Sequence, residues 1–191
     1  EVLAGMRAPS AGVVAYKGED LLKLPCKRAP RAAVYRRMGI SHIPEDRSRE
    51  GLVKSFSTYE NAILGYHGDK TLNSGPLYSR KKLVERTRDF IAQFDIRPGN
   101  PLLRVGLLSG GNQQKVVLAR EIHANPDLLL IGQPTRGVDI GAIEFIHKRL
   151  IELRDEGKAI LLVSVELEEI LALSDRILVM AGGQITGEVA A

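Results

Sequence analysis

Residues 108–115 read Leu-Ser-Gly-Gly-Asn-Gln-Gln-Lys, the stretch of this sequence best suited to chemistry. The run that follows, residues 112–123, has a helical pattern with Val116, Val117, Leu118 and Ile122 available for burial. Ser109 stands where that helix needs an N-cap, and Gly110 and Gly111 leave the first backbone N–H groups bare. Unpaired donors at the positive pole of a helix dipole suit a phosphate. An ordinary Ser-capped helix after a glycine turn accounts for the same residues equally well, and local physics does not separate the two. The other reactive side chains give less. His42, His67, His123 and His147 are scattered and read as surface or satisfied residues, and no cluster has metal-ligand spacing, so no metal site is expected. The lone Cys26 excludes an internal disulfide, fits a reducing compartment, and reads as a bystander thiol.

The chain around these groups has 191 residues, enough for one sizeable core, and at 44% apolar and 26% charged it has the composition of a soluble protein. No apolar run approaches the roughly 18–20 residues of a membrane helix. The net charge of +4 would suit nucleotide or an anionic membrane face, and a solvated surface explains it as well. Opening on Glu1 rather than Met, the sequence reads as a piece of a longer polypeptide. Residues 1–7 look like the last turns of a helix, stopped at Pro9–Gly12. Residues 13–16 form a short strand before a turn, and residues 30–37 a basic helix leading to Gly39. Residues 40–43 are a strand running into Pro44-Glu45-Asp46-Arg47. Ser57-Thr58-Tyr59-Glu60 is a capping box that starts a helix carrying Ile63 and Leu64. Residues 69–76 are a polar loop, and residues 77–94 an amphipathic helix through Leu83, Val84, Phe90, Ile91 and Phe94. The apolar run at residues 128–131, after Asn125-Pro126, is a buried strand, and it ends at Gly132-Gln133-Pro134-Thr135-Arg136-Gly137-Val138-Asp139. Ile143, Ile146, Leu150 and Leu153 then make a helical stripe that ends at Gly157, and residues 159–165 and 177–180 are further buried strands. Apolar strands alternating with amphipathic helices imply an α/β fold with a mainly parallel sheet.

Taken together and in order, LSGGNQQK, LLLIGQPTRGVD, LLVSVELEE and SDRILVMAGGQI resemble the ATP-binding domains of ABC transporters, over nearly the whole chain. They look like the signature motif, Walker B with D-loop, the switch region and the closing strands. The resemblance implies a P-loop NTPase-like ABC ATPase core plus a helical subdomain. Residues 1–51 would be part of the core, ending in a Q-loop-like segment. Residues 52–107 would be the helical subdomain, and residues 108–191 the signature helix, Walker B, D-loop and switch. Glu45 stands where the Q-loop usually has glutamine, and a like charge there would weaken contacts to nucleotide or its metal.

Several of the family's parts are absent. The only Gly-Lys pair, Gly157-Lys158, is followed by Ala159 and is no phosphate loop. By the resemblance, the P-loop and its strand lie upstream of Glu1. The Walker B end, usually Asp-Glu, is Gly132-Gln133. Glycine offers no metal ligand, and glutamine can orient a water without taking its proton. The switch histidine is replaced by Val165. This pattern resembles the second ABC domain of the importers of simple sugars and nucleosides, whose ATPase subunit carries two such domains, and most of all the nucleoside-uptake branch.

The resemblance implies a division of labour. Ser109, Gly110 and Gly111 would close over ATP held with Mg²⁺ mainly by the first ABC domain of the same polypeptide. Asn112, Gln113 and Gln114 would support that helix end, and Asp139 would position the partner site. Gln133 and Val165 would be degenerate catalytic positions, and this piece alone would be inactive. The implied partners are that first domain, transmembrane permease subunits and, indirectly, a periplasmic or lipoprotein substrate-binding protein, at the cytoplasmic face of the membrane and without nucleic acid. Two other readings stay open. One is a soluble ABC ATPase of translation or DNA repair, which the basic balance favours but the short clusters Arg36-Arg37 and Arg80-Lys81-Lys82 do not. The other is a non-catalytic regulatory ABC domain, which the motif losses favour and the intact Ser-Gly-Gly does not.

Overall fold

The computed structural model describes residues 1–24, 30–74 and 77–190, so Cys26 lies outside the described residues. The central element is a three-stranded parallel sheet in the order β3 (Ile40–Ile43), β6 (Leu128–Gly132), β7 (Ala159–Val163). The strands run in register, with Ile40 opposite Leu128 and Leu128 opposite Ala159. Successive side chains of β6 point to opposite faces. Leu129 and Ile131 enter the larger core with Ile43, Val117 and Ile146, while Leu130 joins Ala4, Leu21, Tyr35 and Ile40 on the other face.

Helices α4 (Gly110–His123) and α5 (Ile140–Asp155) supply the larger core, and α1 (Arg31–Arg37) with the N-terminal residues covers the second face. On α5 the expected stripe is buried at Ile146, Leu150 and Leu153, but its first member is Ala142 rather than Ile143, which is only half-buried. Between β3 and α4 lie a π-helical turn (Arg47–Gly51), the short α2 (Thr58–Asn61) and α3 (Arg80–Gln93). The predicted capping box is present: Ser57 accepts from the backbone of Glu60, and the Glu60 carboxylate accepts from Ser57. The short α6 (Leu167–Leu173) follows β7.

Five expectations need correction. The helix begun by Ser57 ends at Asn61, so Ile63 and Leu64, expected on it, lie in the turns that follow. Residues 1–7 are a series of turns rather than a helix, with Gly5 at φ 72°, though Ala4 is still buried in the second core. Residues 13–16 reach strand pairing only at β1 (Ala15–Tyr16), which forms a hairpin with β2 (Glu19–Asp20). The 69–76 loop contains a 3₁₀ turn, Lys70–Leu72, and β4 (Asn73–Ser74), which pairs with β5 (Leu77–Tyr78); α3 therefore begins after Ser79, its N-cap, and not at Leu77. The last strands are not buried. On β7 only Ile160 and Leu162 pack on the core, while Leu161 and Val163 face outward. Among the described residues β8 (Arg176–Ala181) pairs only with β9 (Gln184–Ala190), and Leu178 and Met180 are exposed. Burial needs a second surface, and among the described residues none covers that side of β7 or β8.

Candidate functional site

The Ser-Gly-Gly turn begins α4 as the sequence predicts. Ser109 is extended, at φ −61° and ψ 160°, and its Oγ accepts from the Asn112 backbone at 3.4 Å and from Asn112 Nδ2 at 2.8 Å. The side chains that follow are turned to supporting work. Asn112 Oδ1 accepts from Arg97 N at 2.6 Å, and buried Gln113 donates back to the Leu108 carbonyl at 2.8 Å. Gln114 is buried, and Lys115 donates to the Asp95 carbonyl while lying over the Phe145 ring. Ser109 is left exposed at the helix end, with the two glycines behind it.

Both glycines are required by close neighbours. A Cβ on Gly110 would stand 2.7 Å from Arg47 Nη2 and 2.8 Å from the Gly137 carbonyl oxygen. A Cβ on Gly111 would stand 2.9 Å from Asp139 Oδ2 and from the Ala142 methyl. Asp139 caps α5, its Oδ1 accepting from Ala142 N at 2.9 Å. The signature-like turn and the loop after β6 are therefore packed against one another within this chain, and Asp139 lies beside the glycines.

The loop after β6 leaves the sheet through Gln133, which holds φ 48°. Its N–H donates to the Val163 carbonyl at 2.8 Å, and its Oε1 accepts from Val165 N at 3.4 Å. Val165 itself is 79% exposed, an apolar side chain at a loop position that could hold no proton. Gly132 is close to Glu45: an added Cβ would be 3.2 Å from the Glu45 backbone nitrogen. Glu45 is ion-paired with Arg136 at 2.5 Å. With its carboxylate taken up and Gly132 lacking a side chain, the donors needed for Mg²⁺ are not assembled, and no metal-holding group of three acids, histidines or cysteines occurs among the described residues. The residues here do not fit a resident divalent cation.

Sequence reasoning missed Arg47 and Arg136. Arg47 donates to the carbonyls of Arg136, at 2.7 Å, and Gly137, at 3.2 Å. Burial pulls its guanidinium below its usual range, with Asp46 opposing. The available signal was the basic residue two positions after Glu45, which no local pattern connects to residue 136.

Behind the site, a polar network ties α4 to the rest of the chain. Arg120 donates to Glu121 at 2.9 Å and to the carbonyls of Gly51 and Asn61. Glu121 accepts from Tyr66 Oη at 2.5 Å, and burial, reinforced by that carboxylate, pushes the Tyr66 phenol up. His42 faces a groove of about 970 Å³ formed by residues 1–10, β3 and the ends of β6 and β7. Burial lowers its pKa to about 4, although Glu121 acts in the opposite direction. His147 pairs with buried Glu169 at 3.1 Å, joining α5 to α6, and His123 lies against Phe90. Neither reaches the Ser109 turn.

Residues 1–136 match a family model described as ABC transporter. The chain is 42% identical over 189 residues to a guanosine import ATP-binding protein, NupO, of Bacillus subtilis, covering 99% of this chain and 36% of that protein. It is also 42% identical to a nucleoside import ATP-binding protein, NupA, of Lactococcus lactis, again over 36% of its length. A ribose import ATP-binding protein of Mesorhizobium japonicum is 41% identical over 100% of this chain and 36% of its own. The chain thus spans little more than a third of the curated relatives it matches. In shape it is similar to the dimeric cassette MJ0796, a bacterial ABC transporter cassette, with a TM-score of 0.81, 20% identity, and coverage of 99% of this chain and 77% of that one. A second likeness is to a nucleotide-free ATP-binding cassette from an ABC transporter, with a TM-score of 0.74 at 22% identity.

Proposed function

The chain belongs to the ABC transporter family, and from that premise we propose that it is the second ATP-binding domain of an importer subunit for simple sugars or nucleosides. Nucleosides are favoured, because the guanosine and nucleoside import proteins are matched at 42%. In this reading residues 52–107 form the helical subdomain that meets the permease, and the remainder forms the core. The domain offers Ser109, Gly110 and Gly111 to ATP bound by another ABC domain of the same polypeptide, and that other domain brings the Mg²⁺. Asp139 steadies the interface from beside the turn. The domain sits at the cytoplasmic face of the membrane against transmembrane permease subunits, and a periplasmic or lipoprotein substrate-binding protein acts with them indirectly. No described helix is long and apolar enough to cross it.

One observation carries this reading: an exposed Ser109 and two close-packed glycines begin α4 next to Asp139, while the end of β6 carries Gly132 and Gln133 in place of carboxylates. The chain keeps the groups that close over a phosphate and lacks those that activate water. N–H donors and a positive helix end stabilise charge developing on a transferred phosphoryl group without covalent chemistry. Gln133 can align a water but not deprotonate it. The domain thus contributes one wall of an active site and is a poor catalyst by itself.

The test is Ser109→Arg in the full-length protein, measured as ATP hydrolysis beside nucleotide binding. Hydrolysis is expected to collapse while binding persists, because the nucleotide's main phosphate cradle lies on the other domain. Unchanged hydrolysis would mean that Ser109 faces no composite site and would favour a regulatory domain.

A further inference from the structure

We propose that Arg47 is a positioning residue of the composite site, locking the Ser109–Gly111 turn and the Arg136–Asp139 loop at one spacing. The proposal rests on the composite-site reading and deepens it. The segment after β3 grips the loop after β6 in two ways. Glu45 takes the side chain of Arg136 in an ion pair at 2.5 Å, and Arg47 donates through both terminal nitrogens to the carbonyls of Arg136 and Gly137. The two grips come from residues two apart, Glu45 just before and Arg47 at the start of the Arg47–Gly51 turn, which Asp46 caps by accepting from Ser48 N and Arg49 N.

The same guanidinium abuts the first glycine of α4. A Cβ on Gly110 would lie 2.7 Å from Arg47 Nη2, so the guanidinium sits directly under the turn. The Gly137 carbonyl that Arg47 holds is the other atom such a Cβ would meet, at 2.8 Å. One planar group therefore touches both of the pieces that this chain brings to the interface. A guanidinium suits this because its donors diverge in a fixed fork, whereas an ammonium is a single point charge. Gly51 leaves room for its stem: a Cβ there would meet Arg47 Cβ and Pro44 Cγ at 3.4 Å and Val117 Cγ2 at 3.3 Å. The Nε–H is buried and has no acceptor among the described residues, so the fork is aimed by its two terminal nitrogens.

Arg47→Ala in the full-length protein tests this by amide exchange and steady-state ATP hydrolysis, with Arg154→Ala, a distant surface residue, as control. Exchange is expected to rise about tenfold or more in both segments 109–112 and 136–139, as loss of a charged hydrogen-bond donor implies. The exchange of α3 should stay unchanged. In the same variant kcat should fall about tenfold with KM little altered, since the spacing matters when the site closes rather than when nucleotide binds. If Arg47→Ala does not fold, Arg47→Lys, which keeps stem and charge but not the fork, carries the same measurements. Unchanged exchange in either segment overturns the proposal, and so does faster exchange with an unaltered kcat. A uniform rise across all segments overturns it too, since that marks ordinary packing. Ser109→Arg separates the two levels: if it abolishes hydrolysis and Arg47→Ala does nothing, the positioning role alone is lost. If Ser109→Arg leaves hydrolysis intact, the composite-site reading falls and this proposal with it.

Discussion

Gln133 accepts a hydrogen bond at 3.4 Å from the backbone N–H of Val165, so the two residues face one another across the ends of β6 and β7. The Gln133 backbone also donates to the Val163 carbonyl. The end of the sheet is closed by amide-to-backbone bonds that carry no net charge and transfer no proton. The left-handed backbone at Gln133, costing about 1 kcal/mol for a residue with a side chain, shows how firmly the surroundings dictate that turn.

The isolated chain is therefore expected to hydrolyse no ATP above a buffer control. Restoring carboxylates by the double change Gly132→Asp and Gln133→Glu should not create activity. A Cβ at residue 132 meets the Glu45 backbone nitrogen at 3.2 Å and Glu45 Cβ at 3.4 Å, so the new Asp would press on the Glu45 backbone and displace that segment. A destabilisation of about 1 kcal/mol, read from chemical denaturation, should accompany the change. Turnover by the double variant would show that this chain holds nucleotide phosphates by groups not identified above.

Gly110→Ala should destabilise the protein by about 1–3 kcal/mol, because the added methyl meets the Gly137 carbonyl at 2.8 Å and a backbone oxygen yields less easily than a side-chain tip. Gly12→Ala is the comparison, since a Cβ there has nothing within 4 Å, although its φ of 104° carries its own strain. Equal melting points for Gly110→Ala and the unaltered protein would mean that the turn and the loop do not pack as described.

Much of this arrangement is legible in the sequence, and the limits are physical. The capping box at Ser57, the cap at Ser109, most of the stripe on α5 and the strands at residues 40–43 and 128–131 follow from short-range chemistry and from periodicity, and all are present. The apolar residues of β7 and β8 have the composition of buried strands, but composition states only that burial is favourable. It does not supply the covering surface, and Leu161, Val163 and Met180 remain exposed. Leu77 continues the spacing of α3 and is taken instead by the β4–β5 pairing, which competes locally once Ser79 caps the helix. The Arg47 grip spans 89 residues of sequence and has no local signature at all.

Glu121→Gln should cost about 3–5 kcal/mol, because it leaves Arg120, only 4% exposed, without its counter-charge. The partner lost also accepts from Tyr66 and approaches Arg36, so the change loosens α1, α4 and the segment after α2 together. Thermal unfolding measures the total. A cost below about 1 kcal/mol would place the network in water rather than in the interior.

Stability should rise with pH between about 4 and 6.5, and His42 should be responsible. Burial holds its folded pKa near 4, against 6.5 for an unperturbed imidazole. In that window the unfolded chain binds a proton that the folded chain refuses, so acid favours unfolding. The full shift corresponds to about 3 kcal/mol, most of it lost by pH 4. His42→Gln should flatten the curve there. Asp69 acts elsewhere: burial raises its pKa, but hydrogen bonds from Thr71 and Arg86 outweigh this and hold it at about 2, so its contribution is lost only below pH 3.8. A curve for His42→Gln that still rises from pH 4 to 6.5 would assign the effect to another group.

The isolated chain should associate with itself in proportion to its concentration. β7 is the edge of the parallel sheet, and its outer backbone groups find no strand partner among the described residues. Leu161, Val163 and Val165 line that edge at 40%, 61% and 79% exposure. The β8–β9 hairpin adds Leu178, Met180 and Ile185, also exposed, and pairs with no other strand among the described residues. An edge that offers a row of free N–H and C=O groups beside apolar side chains is a template for a further strand, and natural proteins guard such edges with charge, proline or a bulge. Here a register shift between Val179 and Met180 interrupts the β8–β9 ladder, but β7 carries no such guard along Ala159–Val163. Light scattering after gel filtration should therefore show species larger than one chain that dissolve on dilution. Val163→Lys should suppress them, because a charge on the exposed face opposes a second strand without touching Ile160 and Leu162 in the core. The substitution should leave the melting temperature of the dilute chain within a few degrees, as expected for a surface change of about 0.5 kcal/mol. A single-chain species at every concentration, with a cooperative melt, would show that the open edge of β7 is satisfied by solvent alone.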